Sequence, residues 1–164
     1  MSAAITFDVT GIAALEAFMA RIGDIDTTEL MERIGIVGEN AVSDNFEDEH
    51  DPDGLPWKPS FRAITTGTKT LTEHGGLVDS VESAGTKDQV VVGTNLPYAR
   101  IHNDGGTIRG NPNLKFNIPG IGYRTVESVV MPKRQFVGWG RDALDGVEAE
   151  AIDWLAEVFP EGSA

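Results

Sequence analysis

The chain has three histidines, His50, His74 and His102, the only side chains with an unperturbed pKa near neutrality. None belongs to an H-E-x-x-H pair or to another short metal-ligand spacing. His50 stands in an acidic loop and reads as a solvated residue. His102 follows Tyr98 and precedes Asn103-Asp104-Gly105-Gly106. A hydrogen-bonded structural role is expected for it, because local sequence marks no serine or cysteine nucleophile. The competing enzymatic reading is a small hydrolase that uses His102 with Asp104. Residues 49–60 invite a calcium reading, since Asp51, Asp53 and Gly54 match the third, fifth and sixth places of an EF-hand loop. The twelfth place is Ser60 instead of a bidentate carboxylate, and Pro52, Pro56 and Pro59 intrude, so the match fails. The glycines form neither a G-x-x-x-x-G-K-[ST] loop nor a strand-to-helix G-x-G-x-x-G turn. The aromatics are not interleaved with Lys and Arg as in single-strand binders. No catalytic residue, no metal and no cofactor is therefore expected.

Composition narrows the classes further. A length of 164 residues and 40% apolar content fit one globular domain with a real core. No apolar run approaches the ~20 residues of a membrane span. The opening Met1-Ser2-Ala3-Ala4 has neither a basic nor an apolar region of a secretory signal, so synthesis in a cytoplasm is expected. Cysteine is absent, which rules out disulfides, thiolate catalysis and Cys-based zinc sites. The net charge is −13, which opposes a generic nucleic-acid face, and no sequence-specific nucleic acid is expected as partner. The charge is uneven. Residues 1–60 carry 3 basic and 13 acidic groups, net −10; residues 100–141 carry 7 basic and 2 acidic groups, net +5; residues 142–164 carry 7 acidic groups and no basic one. A molecule with opposite poles can stack head-to-tail on copies of itself.

Periodicity supplies the elements that must position these residues. Ile12, Leu15, Phe18, Met19 and Ile22 predict a helix over Thr10–Ile22. Asp26 and Glu29 have capping-box spacing for a second helix, whose stripe runs through Leu30, Ile34, Val37, Ala41 and Val42 towards Phe46. Gly35 and Gly38 within it point to close packing. Proline, glycine and charge make residues 47–76 a long loop. Strands are expected at 78–84 and 89–93 with a turn at Gly85, then a short helix carrying Tyr98, Ala99, Ile101 and His102. Residues 103–122 read as a second long loop, a projecting excursion or a flexible hairpin, followed by a strand at 125–130. Leu144, Val147, Ala151, Trp154, Leu155 and Val158 form one face of a C-terminal helix stopped by Pro160. The expected fold is one α+β domain over 1–164. It has a small, mainly antiparallel sheet packed against N-terminal helices and a long C-terminal helix.

An ordered set of short segments is more specific than any of these features. They are Asp51-Pro52-Asp53-Gly54-Leu55-Pro56-Trp57, Leu71 to Val81 with Gly76, Leu77 and Ser80, and Val91-Val92-Gly93-Thr94-Asn95. Tyr98-Ala99-Arg100-Ile101-His102 through Gly106 follows, and then Met131-Pro132-Lys133-Arg134-Gln135-Phe136-Val137-Gly138. In this order they resemble the phage virion morphogenesis family, the tail-completion proteins of Mu-like phages. The resemblance covers roughly residues 30–158. It departs at Asn103, where a glutamine is usual, at Pro132-Lys133-Arg134 in place of P-A-R, and in the long stretch between Gly106 and Met131. The resemblance implies a non-enzymatic part acting at the head-proximal end of the tail or at the neck. It implies binding to copies of itself, in a ring, and to neighbouring tail and head proteins. The protein would then pass from the bacterial host's cytoplasm into the virion. A host adaptor domain is the alternative binding class. Packing and loop anchorage are expected of Trp57, Tyr98, His102 and Phe136. Arg134, with Arg100 and Lys133, is the expected charged interface contact, because it lies in the basic stretch beside Pro132 and Phe136.

Overall fold

The stripe that starts at Leu30 folds as helix α1, Thr28–Asp48. This is a computed structural model describing residue 23, residues 25–118 and residues 121–160; the helix expected over Thr10–Ile22 lies outside the described residues. The capping box does not form. Asp26 Oδ1 accepts from the Thr28 amide at 3.0 Å, while Glu29 pairs with Arg33 at 2.7 Å, one turn on. Leu30, Ile34, Val42 and Phe46 are buried, as a 3.6-residue period requires. Glu49 ends the helix in the left-handed conformation, and its neighbour His50 returns an amide hydrogen bond to the Asn45 carbonyl.

The remaining elements are α2 (Phe61–Thr66), β1 (Glu82–Thr86), β2 (Gln89–Gly93), α3 (Ala99–Asp104), β3 (Gly106–Ile118), β4 (Gly122–Met131) and α4 (Arg141–Val158). The α+β class holds, but the strands form two separate antiparallel pairs, β1–β2 and β3–β4. The β1–β2 pair lies on α1, and α4 packs on the same helix. Close approach explains three glycines. A Cβ on Gly35 would sit 2.5 Å from Ser83 Oγ, and one on Gly38 2.7 Å from Val92 Cγ2. Gly85 is not a turn residue: it pairs with Val90 inside β1, and a Cβ there would meet the Glu32 backbone nitrogen at 2.9 Å. The strand begins at Glu82 because residues 76–80 are occupied by a turn, in which Ser80 Oγ donates to the Leu77 carbonyl at 2.7 Å.

Two apolar clusters hold the domain. Val42, Phe46, Trp57, Leu77, Ala99 and Phe136 form one; Leu30, Ile34 and Trp154 form the other, joined by Val147 and Ala151. At α4 the expected stripe is only half covered, since Leu144, Leu155 and Val158 are exposed along with Ile152. Both expected loops contain regular structure. Ser60 Oγ caps α2 by accepting from the Ala63 amide at 3.1 Å. Residues 106–118 are a strand whose register with β4 shifts between Arg109 and Leu114. The resulting hairpin contacts chiefly itself. Ten residues in β4 give it a reach of roughly 33 Å at ~3.3 Å per residue.

Candidate functional site

The motif segments converge on one end of α1. In the first, Asp51 Oδ1 accepts from the amides of Asp53 (3.0 Å) and Leu55 (2.9 Å), and Gly54 turns the chain with φ +81°. The carboxylate that suggested calcium thus closes its own loop. Asp53 and Gly54 are exposed at the loop's tip. Trp57 fastens the loop: its Nε1 donates to the Gln135 carbonyl at 2.9 Å, and its ring stands edge-on to Phe46 at 5.4 Å. Phe136 is 1% exposed and lies 5.1 Å from Phe46. Leu77 closes this cluster, and Ser80 shares a 2.7 Å hydrogen bond with Thr94. Gly138 lies against the ring of Pro52. Pro132 is half-buried, Gly76 is exposed, and Gly106 opens β3 beside Ile101. Packing and anchorage are the roles seen for Trp57 and Phe136.

Two asparagines that sequence reasoning did not single out as positioning residues tie the segments together. Asn103 Oδ1 accepts from the amides of Phe136 (3.0 Å) and Val137 (3.2 Å). Asn45 Nδ2 donates to the Phe136 carbonyl at 3.1 Å. Burial of Asn45 on an otherwise apolar stripe is the signal that would have marked it, since a buried amide must find partners. At Asn103 the short side chain, standing where glutamine is usual, still reaches two main-chain donors.

The charged candidates separate. Arg100 and Lys133 are exposed, and Arg100 pairs with Asp104 at 3.5 Å on α3. Arg134, expected to face a partner across an exposed surface, is instead 4% exposed. Its amide donates to the His102 carbonyl at 2.9 Å and its Nε to the Lys58 carbonyl at 2.7 Å. Residues 131–136 tuck under α3, and this draws the guanidinium inward. Burial lowers the Arg134 pKa from its ordinary value.

His102 also departs from expectation. Its Nδ1 is buried and has no hydrogen-bond partner, while Tyr98, half exposed, stands edge-on to its ring at 6.2 Å. Burial first, and the charge of Arg134 second, push the His102 pKa down, which favours the neutral ring. Asp104 bonds Asn103 at 2.8 Å and pairs with Arg100, so no His102–Asp104 hydrogen bond of the hydrolase kind is formed. His102 and Arg134 line a cavity of about 400 Å3 together with Arg62, His74 and Leu77. His50 Nδ1 contacts the Asp51 carbonyl at 2.8 Å. No three His, Asp or Glu side chains gather as a metal site among the described residues.

The fold and its convergent segments define an α+β domain in which the motif segments lock loops onto one helix, while a hairpin and a helix face remain exposed. The model of the phage virion morphogenesis family matches residues 12–156, nearly the whole chain. The chain belongs to that family, and its role lies in building the phage particle. Comparison with curated proteins and with solved structures yields no match. Among the described residues no helix is long and apolar enough to cross a membrane.

Proposed function

We propose that the protein completes the tail at its head-proximal end and enables the tail to join the head, assembling with copies of itself into a ring. Family membership across residues 12–156 is the observation that carries this reading. Surface chemistry supports it. The β3–β4 hairpin is basic, with Arg109, Lys115 and Arg124 against Glu127, and it exposes Tyr123 (82%), Ile121 and Val130. Helix α4 is acidic, with six carboxylates against Arg141, and it exposes Leu144 and Ile152. Each surface combines exposed apolar side chains with charge of one predominant sign, and the signs are opposite. A hairpin laid on the α4 face of the next copy makes a heterologous contact, which closes into a ring when the rotation per copy divides a full turn. Tail and head proteins would bind the faces of that ring.

Electron microscopy of lysates from a deletion mutant tests the role. Filled heads lying beside unjoined tails are expected. Infectious particles in normal yield contradict the proposal, and empty heads beside normal tails point to packaging instead.

A further inference from the structure

The cavity beneath α3 holds a charge that the fold leaves without a counter-ion. Arg134 is almost wholly buried, yet the chain uses only its Nε, on the Lys58 carbonyl. No carboxylate pairs with it among the described residues, and burial is the cause of its lowered pKa. Its terminal nitrogens are not among the buried unpartnered atoms and so open onto the cavity, and a guanidinium largely withdrawn from water is kept where something offsets the loss. The second observation is independent. His102 Nδ1, on the adjacent wall, is buried with no partner, and a buried polar atom in that state is rare. Arg62, Glu73 and His74 also line the cavity; Arg62 Nε lies 3.9 Å from the Glu73 carboxylate and its terminal nitrogens bond Thr68 and the Lys69 carbonyl, so the Arg62 and Glu73 charges offset each other and Arg134 keeps its own unpaired. Leu71, Leu77 and Met131 add an apolar wall. The volume, about 400 Å3, lies at the lower end of the ~300–1,000 Å3 typical of ligand sites.

We infer that this cavity is a binding site for a carboxylate side chain on an acidic peptide segment of a partner protein. The Arg134 guanidinium receives the carboxylate, a turn of the His102 ring brings its buried Nδ1–H to the same oxygen, and the aliphatic stem lies on Leu71, Leu77 and Met131. A carboxylate on a short apolar stem matches this lining better than a free phosphate, which would leave the apolar wall unused. Binding would place a negative charge beside the ring and offset the charge of Arg134, so an occupied site should raise the His102 pKa. A packing-only role for His102 and Arg134 predicts no such change. The site meets the hairpin only at Met131, the last residue of β4, and shares none of the charged or exposed side chains of the hairpin and α4 surfaces, so its failure would leave the ring proposal standing, and the reverse also holds.

The test is NMR titration of the full chain at constant ionic strength with N-acetyl-glutamate methylamide. N-acetyl-glutamine methylamide serves as the neutral isostere and inorganic phosphate as the competing anion. The glutamate compound should shift the His102 ring signals and the Gly76 and Leu77 amides, saturate in the millimolar range and raise the His102 pKa. The glutamine compound should not. Arg134→Gln should weaken binding about ten-fold or more, as loss of a charge-assisted hydrogen bond implies. Should that variant fail to fold, His102→Phe supplies the second test: it removes the donor, keeps a ring, and should weaken the same amide shifts. Equal shifts from the neutral isostere overturn the inference. So does binding of phosphate alone, or a response spread over surface Lys and Arg that spares His102.

Discussion

The cluster around Phe136 and the β3–β4 hairpin follow opposite rules. The cluster buries Trp57, Leu77, Ala99 and Phe136 of the motif segments, and side-chain hydrogen bonds tie these segments to main chain: Trp57 to Gln135, Asn45 to Phe136, Asn103 to Phe136 and Val137. The hairpin buries almost nothing, contacts chiefly itself and leaves Tyr123 82% exposed. In this molecule the motifs secure the fold, while the most exposed ribbon lies where the sequence departs from the motif pattern.

That division can be broken at either region. Phe136→Ala should have the largest effect on stability, about 3–5 kcal/mol, read from urea unfolding, because it empties the centre of the cluster. Asn103→Ala should cost about 1–3 kcal/mol, since two partly buried amides lose their acceptor. Trp57→Phe keeps a ring against Phe46 but loses the bond to the Gln135 carbonyl; about 1 kcal/mol is expected. A loss under 0.5 kcal/mol at all three positions would mean that the segments are not anchors.

A smaller effect concerns pH. The folded state lowers the His102 pKa from its ordinary 6.5. The unfolded chain therefore binds more protons between the two values, and stability should fall as pH drops below about 6.5. His102→Asn should flatten that part of the profile in thermal unfolding. Glu157, held low by Arg33, acts in a separate window, where stability is lost as pH falls through the carboxylate range. The smallest effect should come from Tyr123→Ala, within about 0.5 kcal/mol of the parent, as expected for a side chain with little buried contact.

Much of this was legible in the sequence where burial imposed a period. The α1 stripe from Leu30 to Phe46 is visible because one face is apolar, and the Val90–Val92 strand because of its β-branched density, although Val91 is exposed and not sheet-buried. The hairpin was not legible as a strand over 106–118, because a ribbon exposed on both faces has no reason to alternate. Helix α2 was overlooked although Ser60 caps it and Gly67 ends it at φ +68°, both readable as a start and a stop. The α4 face misled in the other direction. Its apolar spacing predicts burial, yet Leu144, Leu155 and Val158 remain exposed. For Arg134 the basic stretch suggested a surface contact. Its burial depends on how residues 131–136 pass beneath α3, a tertiary fact that local spacing does not encode.

The central claim is that the hairpin serves assembly and not the fold. Its most direct test is complementation of the deletion mutant with a protein carrying Arg109→Glu, Lys115→Glu and Arg124→Glu together, scored as the yield of joined particles. The account predicts a variant that unfolds at the parent's temperature and restores few or no joined particles. Full restoration of joining by this variant would contradict it.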